Sequence, residues 1–404
     1  MKPLADGPVR PLAGVRVVEF AHWMAGPLAG GLLADWGADV VKVEPPGGEP
    51  MRTIFAKMGA RAGTPNAGFT LANRGKRSLV LDMKTEEGRA AFERMLAASD
   101  VLLTNLRPDA LQRLGLGAVQ VRERHPRLVY CTVSAYGWGG PDQDRPGYDI
   151  AAFYGRTGVA HEITTAGTAP LALLSGIGDA FTAMTAATGI LAALMERQQT
   201  GRGRFVEASL LRTGMWALGG ELGQQALGGT PKPPKPREKS RTPLYNSYRT
   251  SDDRWFFLVG VEAARHLPSV LRAIGRDDLV GDERFKDARS IGTNAAELIR
   301  IFDAAFSSRP MAHWAQQLDR HEVWWAPIQT PEEVMDDKQA QAIGAWIEVD
   351  GHKSVDAPLR FDGVRRGTAP RAPGTGEHTA AVLADFGFSP DEIARLQAAD
   401  GKES

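Results

Sequence analysis

The chain has little of what several classes of protein require. Cys131 is the single cysteine among 404 residues, which excludes an internal disulfide and any cysteine-rich zinc or iron–sulfur site. Cys131 lies in the apolar run 128–133, which is typical of a buried strand, so we expect an inert core thiol. The 48 basic residues balance 48 acidic ones. No net basic field therefore draws the protein to nucleic acid or to an anionic membrane surface.

Long apolar runs and a leader-like N-terminus are also missing. We find no run of about 18 apolar residues, and charged, glycine and proline residues follow Met1-Lys2-Pro3 before any apolar stretch forms. These features predict a soluble, cytoplasmic protein without a membrane partner. The length predicts two domains, or one large and one small, and a hydrophobic content of 43% supports complete folding.

The first half of the chain alternates between strand and helix patterns. Short runs rich in valine and leucine predict strands, and longer segments between them show helical periodicity. The predicted strands are 15–20, 39–44, 78–82, 100–104, 127–133 and 204–208, and the predicted helical segments are 27–36, 85–98, 108–124 and 179–199. This spacing predicts an α/β fold with a parallel sheet covered by helices.

The second half has a different texture. Residues 228–243 are rich in proline and basic residues and predict a solvated linker. A hairpin is predicted at 245–259, followed by helices at 263–274, 295–306 and 311–318. From about Val323 the pattern changes to short strands and loops that end in an amphipathic helix near 378–386.

Several familiar nucleotide and hydrolase motifs fail in this chain. Residues 26–31 lack the second glycine of the dinucleotide-binding pattern, and 70–77 lack the first glycine and the final Ser or Thr of a P-loop. No zinc-protease His-Glu-x-x-His pattern and no Gly-x-Ser-x-Gly turn occur. NAD binding, nucleotide hydrolysis and serine hydrolysis are therefore disfavoured.

Asp179 is the strongest candidate for catalysis. It stands in Leu174-Ser175-Gly176-Ile177-Gly178-Asp179, where a glycine-flanked turn precedes an alanine-rich helix. A carboxylate in this place can attack an acyl group and form a covalent intermediate. Asp also favours helix starts because its oxygens accept hydrogen bonds from unpaired backbone N–H groups, so the local pattern alone leaves simple capping open.

A series of short motifs in a fixed order resembles the family III CoA-transferases, the CaiB/BaiF type. This group includes formyl-CoA, carnitine and bile-acid CoA-transferases and the 2-methylacyl-CoA racemases. The motifs span nearly the whole chain. They are residues 11–19, 25–27, 33–44, 73–78, 105–108, 113–115, 146–149, 178–179, 200–203 and 376–379.

The resemblance implies a Rossmann-like large domain built from both chain ends, a smaller α+β domain, and a homodimer of interlocked rings. Placed on this chain, the large domain is expected at 1–227 and 323–404, the linker at 228–243 and the small domain at 244–322. The resemblance also implies that Asp179 attacks an acyl-CoA thioester to give an aspartyl–acyl anhydride and then an aspartyl–CoA thioester. The implied partners are acyl-CoA and a carboxylic acid, with no permanently bound cofactor and no metal.

The family's CoA contacts fall on nine positions of this chain. CoA carries phosphates and an adenine, so a site for it needs cations and apolar faces. Arg113 and Lys84 suit the phosphates, and Leu81 and Leu106 suit the adenine, although both charged residues also fit an ordinary solvated helix surface. The nine positions are His22, Met24, Ala25, Leu81, Lys84, Asn105, Leu106, Arg113 and Tyr136.

Departures from the family pattern favour one branch of it. Racemases of the group have a histidine where this chain has Tyr148, and tyrosine, with an ordinary pKa of about 10, is a poor proton acceptor at neutral pH. Transferase is therefore preferred to racemase, and a catalytically silent acyl-CoA-binding relative remains a third possibility. Met24 replaces the glutamine of the formyl-CoA branch. Trp324 and Trp325 either shape an acyl pocket or, as we prefer, fill core.

Overall fold

A computed structural model describes residues 10–59, 61, 64–171, 176–229, 235–361 and 367–400. The strands are β1 (Arg16–Phe20), β2 (Asp39–Glu44), β3 (Arg77–Val80), β4 (Val101–Thr104), β5 (Val129–Ser134), β6 (Phe205–Ser209), β7 (Tyr245–Arg249), β8 (Trp255–Val259), β9 (Trp325–Pro327), β10 (Trp346–Val349) and β11 (His352–Val355).

The α-helices lie between these strands and after the last of them. They are α1 (Ala25–Asp35), α2 (Ile54–Lys57), α3 (Ala67–Asn73), α4 (Glu86–Ala97), α5 (Pro108–Arg113), α6 (Ala118–Arg124), α7 (Val159–Glu162), α8 (Ile177–Thr200), α9 (Leu210–Ala217), α10 (Gly219–Ala226), α11 (Ala263–Ala273), α12 (Ala288–Thr293), α13 (Ala295–Phe306), α14 (Met311–Arg320), α15 (Pro331–Asp336), α16 (Lys338–Ala342), α17 (Thr379–Asp385) and α18 (Pro390–Asp400). A π-helical segment, Ile150–Gly155, precedes α7.

The described residues form two compact units. One consists of Met1–Ala160, Ala172–Thr230 and Gln339–Ser404, and the other of His161–Leu171 and Pro231–Lys338. The exact domain boundaries drawn from the sequence stay predictions. Part of the predicted linker, 230–234, and the Leu174-Ser175 part of the turn before Asp179 lie outside the described residues.

A six-stranded sheet organises the first unit. Its order is β3-β2-β1-β4-β5-β6, and all neighbouring strands are parallel. Side chains alternate between its faces: Val18 and Leu102 join the core with α4 and α17, whereas Val17 and Val101 join the core with α1 and α8. The prediction of a parallel sheet covered by helices is confirmed.

Small side chains allow α8 to lie close to α1 and the sheet. Its buried face carries four alanines together with Gly178, Thr182, Ile190 and Leu194. Phe181, Met184 and Met195 on the same helix are 46%, 36% and 68% exposed. One face of α8 is therefore apolar and uncovered in this chain.

By length and composition alone, α8 is apolar enough to cross a membrane. Its mean hydropathy reaches 1.4, and 44% of the window is buried in the structure. One helix of this kind is weak evidence for a membrane span, because core helices have the same composition. Alanine, glycine and threonine make up much of this helix, so the sequence contains no unbroken run of strongly apolar residues there.

The second unit contains the predicted hairpin and the three predicted helices, which are α11, α13 and α14, together with the shorter α12 and α15. β7 and β8 pair in antiparallel register from Tyr245–Val259 to Arg249–Trp255, and β9 completes the sheet. Arg237, in the predicted linker, lies over the Tyr248 ring and pairs with Asp303 at 2.6 Å, so this basic residue is not simply solvated. Trp324, expected in core, is 54% exposed and contacts His266.

Residues from the end of the chain complete the edge of the large sheet. The backbone N–H of His378 donates to the carbonyl of Ser78 in β3, and Val80 N–H donates to Thr379 Oγ1 at 3.2 Å. Val382, Leu383 and Phe386 of α17 enter the same core as β3 and α4. The first unit is thus built from residues at both ends of the sequence.

Candidate active site

The carboxyl ends of β1 and β4 lie where the sheet changes direction. β2 and β3 lie on one side of β1, and β5 and β6 lie on the opposite side of β4. The connections that follow β1 and β4 therefore leave in opposite directions, and a crevice opens between them. Ligands of open α/β sheets bind at such a switch point. Asn105, after β4, holds His22, after β1: its Oδ1 accepts from His22 N–H at 2.9 Å, and its Nδ2 donates to His22 O at 2.6 Å.

Two neighbouring cavities lie at this crevice. The first, of about 220 Å³, is lined by Trp23, Met24, Ala25, Asn105, Leu106, Arg107, Val133, Ser134, Ala135, Gln143, Arg145, Pro146, Gly147, Tyr148, Asp179 and Leu210. We call it the Asp179 cavity. The second, of about 510 Å³, is lined by His22, Trp23, Asn105, Leu106, Arg107, Asp109, Ala110, Arg113 and Asp144. We call it the outer groove, and it shares four wall residues with the Asp179 cavity.

Asp179 lies in the first turn of α8. Gly176 precedes the helix with a φ of +98°, a left-handed conformation that glycine adopts without strain. A side chain at Gly178 is excluded because a Cβ there would lie 2.6 Å from Phe153 Cγ. The first N–H groups of a helix lack intrahelical partners, so this turn can stabilise negative charge beside the Asp179 carboxyl.

The charge state of Asp179 is set by its surroundings. Burial, and to a smaller extent the negative charge of Asp149, raises the pKa of Asp179 to about 7. Both effects disfavour the ionised form. A carboxyl group with such a pKa is a stronger base and nucleophile, once ionised, than an ordinary aspartate.

Asp149 is the second carboxyl group of the site, and it is buried. Its Oδ2 accepts from Gly176 N–H at 2.5 Å, and its Oδ1 accepts from Ile150 N–H at 2.8 Å. It therefore ties the segment before α8 to the π-helical segment and places a negative charge near Asp179. In the sequence, Asp149 was identified only as the last residue of the motif 146–149, and no role was predicted for it.

His22 is neutral at physiological pH in this site. Burial and the nearby Lys42 cation lower the pKa of His22 to about 4. Its Nδ1 is buried and has no hydrogen-bond partner among the described residues. The neutral imidazole in the wall of the outer groove therefore brings no positive charge to a phosphate.

The structure brings together seven of the ten predicted site residues. Met24, Ala25 and Asp179 line the Asp179 cavity, His22 and Arg113 line the outer groove, and Asn105 and Leu106 line both.

The remaining three predicted residues line neither cavity. Leu81 is 1% exposed in the core, and Lys84 is exposed after β3. Tyr136 packs against Gly147, and the guanidinium carbon of Arg156 lies 5.4 Å from the centroid of its ring. The CoA-contact assignment of these three residues stays a prediction without support from the cavity geometry.

Trp23 is the main wall residue that the sequence did not reveal. It lines both cavities, and its ring meets that of Tyr148 edge to face at 5.9 Å. Its φ of +67° is left-handed, which is uncommon for a bulky residue. Arg107 also lines both cavities and Arg145 lines the first, so each adds positive charge that sequence reasoning missed.

Comparison with known proteins identifies the family. The model described as "CoA-transferase family III" matches residues 12–379. The (R)-2-hydroxy-4-methylpentanoate CoA-transferase of Clostridioides difficile is 30% identical over 95% of this chain and 97% of its own length. The alpha-methylacyl-CoA racemase of Mus musculus is also 30% identical, over 95% of this chain and 96% of its own.

A solved structure agrees with these matches. The crystal structure of Rv3272 from M. tuberculosis has a TM-score of 0.81 and 30% identity, and the match covers 93% of this chain and 99% of that one. The family prediction made from the sequence motifs is confirmed by the matching family model and by relatives that extend over nearly the whole chain. This chain is an enzyme of CoA-transferase family III.

Proposed function

We propose that this enzyme transfers CoA from an acyl-CoA to a free carboxylic acid with Asp179 as the nucleophile. The observation that carries the proposal is a partly buried carboxyl group, of pKa about 7, in the wall of a cavity at the carboxyl ends of β1 and β4. The Clostridioides difficile relative, a CoA-transferase by name, matches 95% of the chain and supports the same reaction class.

The chemistry uses only oxygen and sulfur nucleophiles. An Asp179 carboxylate oxygen attacks the thioester carbonyl, the C–S bond breaks, and CoA leaves as a thiolate, so an aspartyl–acyl anhydride forms. The thiolate then attacks the aspartyl carbonyl, which releases the donor acid and leaves an aspartyl–CoA thioester. An acceptor carboxylate repeats both steps in reverse order and departs as its CoA thioester. Asp179 is regenerated, and no oxidant or metal takes part.

The surroundings of Asp179 favour this sequence. Each addition places negative charge on a carbonyl oxygen, and backbone N–H groups in the first turn of α8 are donors for it, a contribution of about 3 kcal/mol per donor. Ionised Asp179 is held at a cost in a low-dielectric wall beside Asp149. Conversion to a neutral anhydride removes that cost, so the site stabilises the intermediate relative to the free carboxylate.

The outer groove is the proposed binding region for CoA. Arg107 and Arg113 provide guanidinium groups for phosphates, and Leu106 provides an apolar face. The Arg113 side chain is 72% exposed, and its contact with Asp109 is 3.8 Å long, so its donors remain accessible. Asp109 and Asp144 also line the groove, and phosphate binding is therefore confined to the arginine side.

Racemisation of a 2-methylacyl-CoA is the second candidate function. The pKa of Asp179, near neutral pH, also suits a group that exchanges a proton, and a racemase is among the relatives of similar identity. A racemase needs a second acid/base group on the other side of the α-carbon. Tyr148, 65% exposed, stands where the family resemblance places a histidine. We therefore rank transferase first.

Trapping the covalent intermediates tests the proposal. Purified protein is incubated with a panel of acyl-CoA donors, quenched with hydroxylamine and digested, and Asp179 is examined by mass spectrometry for the hydroxamate. We expect modification of Asp179 only with donor present, ping-pong kinetics with a carboxylic acid acceptor, and loss of both in Asp179→Asn. Glu93→Gln, at a surface carboxylate paired with Arg124, is the matched control and keeps full turnover.

The same incubation in D₂O separates the alternatives. Enzyme-dependent deuterium at the α-carbon of a 2-methylacyl-CoA, without any acceptor acid and without trapped Asp179, would make the racemase the correct assignment. Binding of CoA esters with neither exchange nor adduct across the panel would instead identify a silent binding relative.

A further inference from the structure

Four charged side chains form a buried chain beneath the β1–α1 connection. Glu19 bridges two lysines: its Oε1 lies 3.1 Å from Lys42 Nζ, and its Oε2 lies 2.6 Å from Lys76 Nζ. Lys42 Nζ also lies 2.9 Å from Glu49 Oε1. The side chains of Glu19, Lys42 and Lys76 are fully inaccessible to solvent, and Glu49 is 1% exposed as a residue. The two positive and two negative charges balance.

The chain of charges is attached to the backbone of the β1–α1 connection. Lys42 Nζ donates to Ala21 O at 3.0 Å, and Lys76 Nζ donates to Pro27 O at 2.8 Å. Between these points, Glu49 Oε2 accepts from Trp23 N–H at 2.9 Å. This short connection carries four residues that line one or both cavities, His22, Trp23, Met24 and Ala25. Burying four charges costs desolvation free energy, which indicates that their arrangement serves a function.

Trp23 is the residue of this connection whose backbone conformation requires stabilisation. A left-handed backbone costs an L-residue with a Cβ about 1–2 kcal/mol, and the described chain places Trp23 there with φ of +67°. The hydrogen bond from Trp23 N–H to a carboxylate is charge-assisted and therefore strong enough to offset that cost. The indole that results is a wall of both the Asp179 cavity and the outer groove.

We propose that Glu49 is a positioning residue: through Trp23 N–H it fixes the indole that sets where the thioester carbonyl stands relative to Asp179. This inference rests on the proposed transferase function for its kinetic consequence, but the geometry of Trp23 is independent of it. Burial raises the pKa of Glu49, and the Lys42 cation and the Trp23 N–H donor act against that rise. Glu19 and Lys76 hold Lys42 in place beside Glu49. Misplacement of reacting groups by about 1 Å costs up to about a hundredfold in rate.

Glu49→Gln is the main variant, and Asp35→Asn is its control. A glutamine cannot satisfy Lys42 and Trp23 N–H together, because its amide NH₂ must face one of these donors. The side chain of Asp35 is only 5% exposed and pairs with Arg74 at 2.7 Å, but it lines neither cavity. Both variants weaken a buried ion pair, and only Glu49→Gln removes the charge-assisted hydrogen bond to Trp23 N–H, whichever way the amide faces.

Fluorine NMR of 5-fluorotryptophan-labelled protein reports on Trp23 directly, with its resonance assigned by Trp23→Phe. We expect the Trp23 resonance to shift or broaden in Glu49→Gln and to remain in place in Asp35→Asn. With the acyl-CoA that trapping identifies, we expect kcat to fall about tenfold to a hundredfold in Glu49→Gln while KM changes less, because the arginines of the outer groove are intact. Asp35→Asn should keep kcat within about twofold, because Asp35 lines neither cavity and substitutions at distant sites act independently of the catalytic groups.

Glu49→Asp carries the test if Glu49→Gln does not fold. Aspartate keeps the charge beside Lys42 but withdraws the acceptor from Trp23 N–H, so the same shift of the Trp23 resonance is expected. An unchanged Trp23 resonance in a folded Glu49 variant, or an equal loss of kcat in Asp35→Asn, overturns the positioning role. If no transfer activity is found for the wild type, the proposed function fails, and the fluorine spectra still decide the role of Glu49.

Discussion

The raised pKa that makes Asp179 reactive also lowers the stability of the folded protein once the carboxyl group ionises. Its pKa is raised from 3.8 in an unfolded chain to about 7 in the fold. A carboxyl group with a raised pKa contributes stability that is complete below pH 3.8 and is lost as the pH rises through about 7. Above that pH the folded protein contains a carboxylate that its surroundings disfavour. Functional groups are commonly held in such unfavourable states.

Asp179→Asn should therefore stabilise the protein while it removes activity. We expect the free energy of unfolding to rise by about 2 kcal/mol at pH 8.5, discounted for partial exposure of the side chain, and to be nearly unchanged at pH 4. Urea unfolding at fixed protein concentration measures both values. Asp142→Asn is the control of opposite sign, because Arg156 lowers the pKa of Asp142. A pH-independent effect of Asp179→Asn would contradict the raised pKa.

Asp149 should control the pH at which Asp179 becomes a nucleophile. Its charge contributes to the raised pKa of Asp179, so Asp149→Asn should move the acidic limb of the kcat/KM profile from near pH 7 to lower pH. Asparagine keeps only one oxygen for the two N–H groups of Gly176 and Ile150, which should cost about 1 kcal/mol of stability. An acidic limb that stays in place would show that burial alone sets the pKa of Asp179.

Residue types predicted the site only in part. The resemblance found Asp179 and six cavity residues because they follow β1, β4 and the turn before α8, where side chains necessarily meet at one edge of a parallel sheet. Trp23 was missed because nothing in a sequence marks a tryptophan with positive φ. Its partner Glu49 lies 26 positions further along, so only the folded chain shows their contact. Leu81 suited adenine by type but is enclosed in the core.

Elements with strong local patterns were predicted well. The β2 range 39–44 and the β7–β8 hairpin match the structure, because apolar runs bounded by turn residues define them. The buried position predicted for Cys131 is confirmed: it lies inside β5, and burial raises the pKa of its thiol to about 12, which disfavours the reactive thiolate.

Other elements were not recognised. α15 begins with the capping box Thr330–Glu333, a signal that was present but unused. At α18, Ser389 N–H donates to Glu392 Oε2, and Glu392 N–H donates back to Ser389 Oγ, which is the same pattern. The π-helical segment 150–155 has no sequence signature, since its form depends on the buried Asp149 and on Gly178 packed against Phe153.

Helix α1 passes directly over the buried charges at Gly30. A Cβ at Gly30 would overlap the Glu19 carboxylate and lie 3.2 Å from Lys76 Nζ. Gly30→Ala should therefore destabilise the protein by at least about 3 kcal/mol, although alanine favours helices, because it breaks a buried ion pair. Thermal unfolding measures the change. Gly292→Ala in α12, where the nearest atom would lie 3.6 Å from the added methyl group, should be neutral or stabilising and serves as control.

A large apolar face of the first unit lacks a covering element in a single chain. The outer side of α8 and helices α9 and α10 expose large apolar side chains, and no residue of α10 is buried. They include Phe181, Met184, Met195, Met215, Trp216 and Leu227. Soluble chains rarely expose so many together unless another surface covers them. We propose that a second copy of the chain does so, in the homodimer that the family resemblance implies.

The proposed homodimer predicts persistent association. If the two copies are linked as rings, dissociation requires unfolding, so sedimentation at nanomolar concentration should show only dimer. Trp216→Lys, on the proposed interface, should lower the thermal midpoint and yield monomer or unfolded chain. Val119→Lys replaces an exposed apolar residue outside that face, 66% exposed on α6, and should leave the dimer intact. A folded wild-type monomer would refute the arrangement.

The attachment of residues 376–386 to β3 has a consequence for synthesis on the ribosome. β3 is an edge strand, and its outer hydrogen-bonding positions near Ser78 and Val80 are taken up by His378 and Thr379, 300 residues later. A nascent chain that has released β1–β6 therefore still carries an open sheet edge and an incomplete core while Pro231–Lys338 of the second unit is being translated. At about 5–20 residues per second, this exposure lasts for many seconds. Open strand edges attract other chains, so chaperone binding during translation is most needed in this interval.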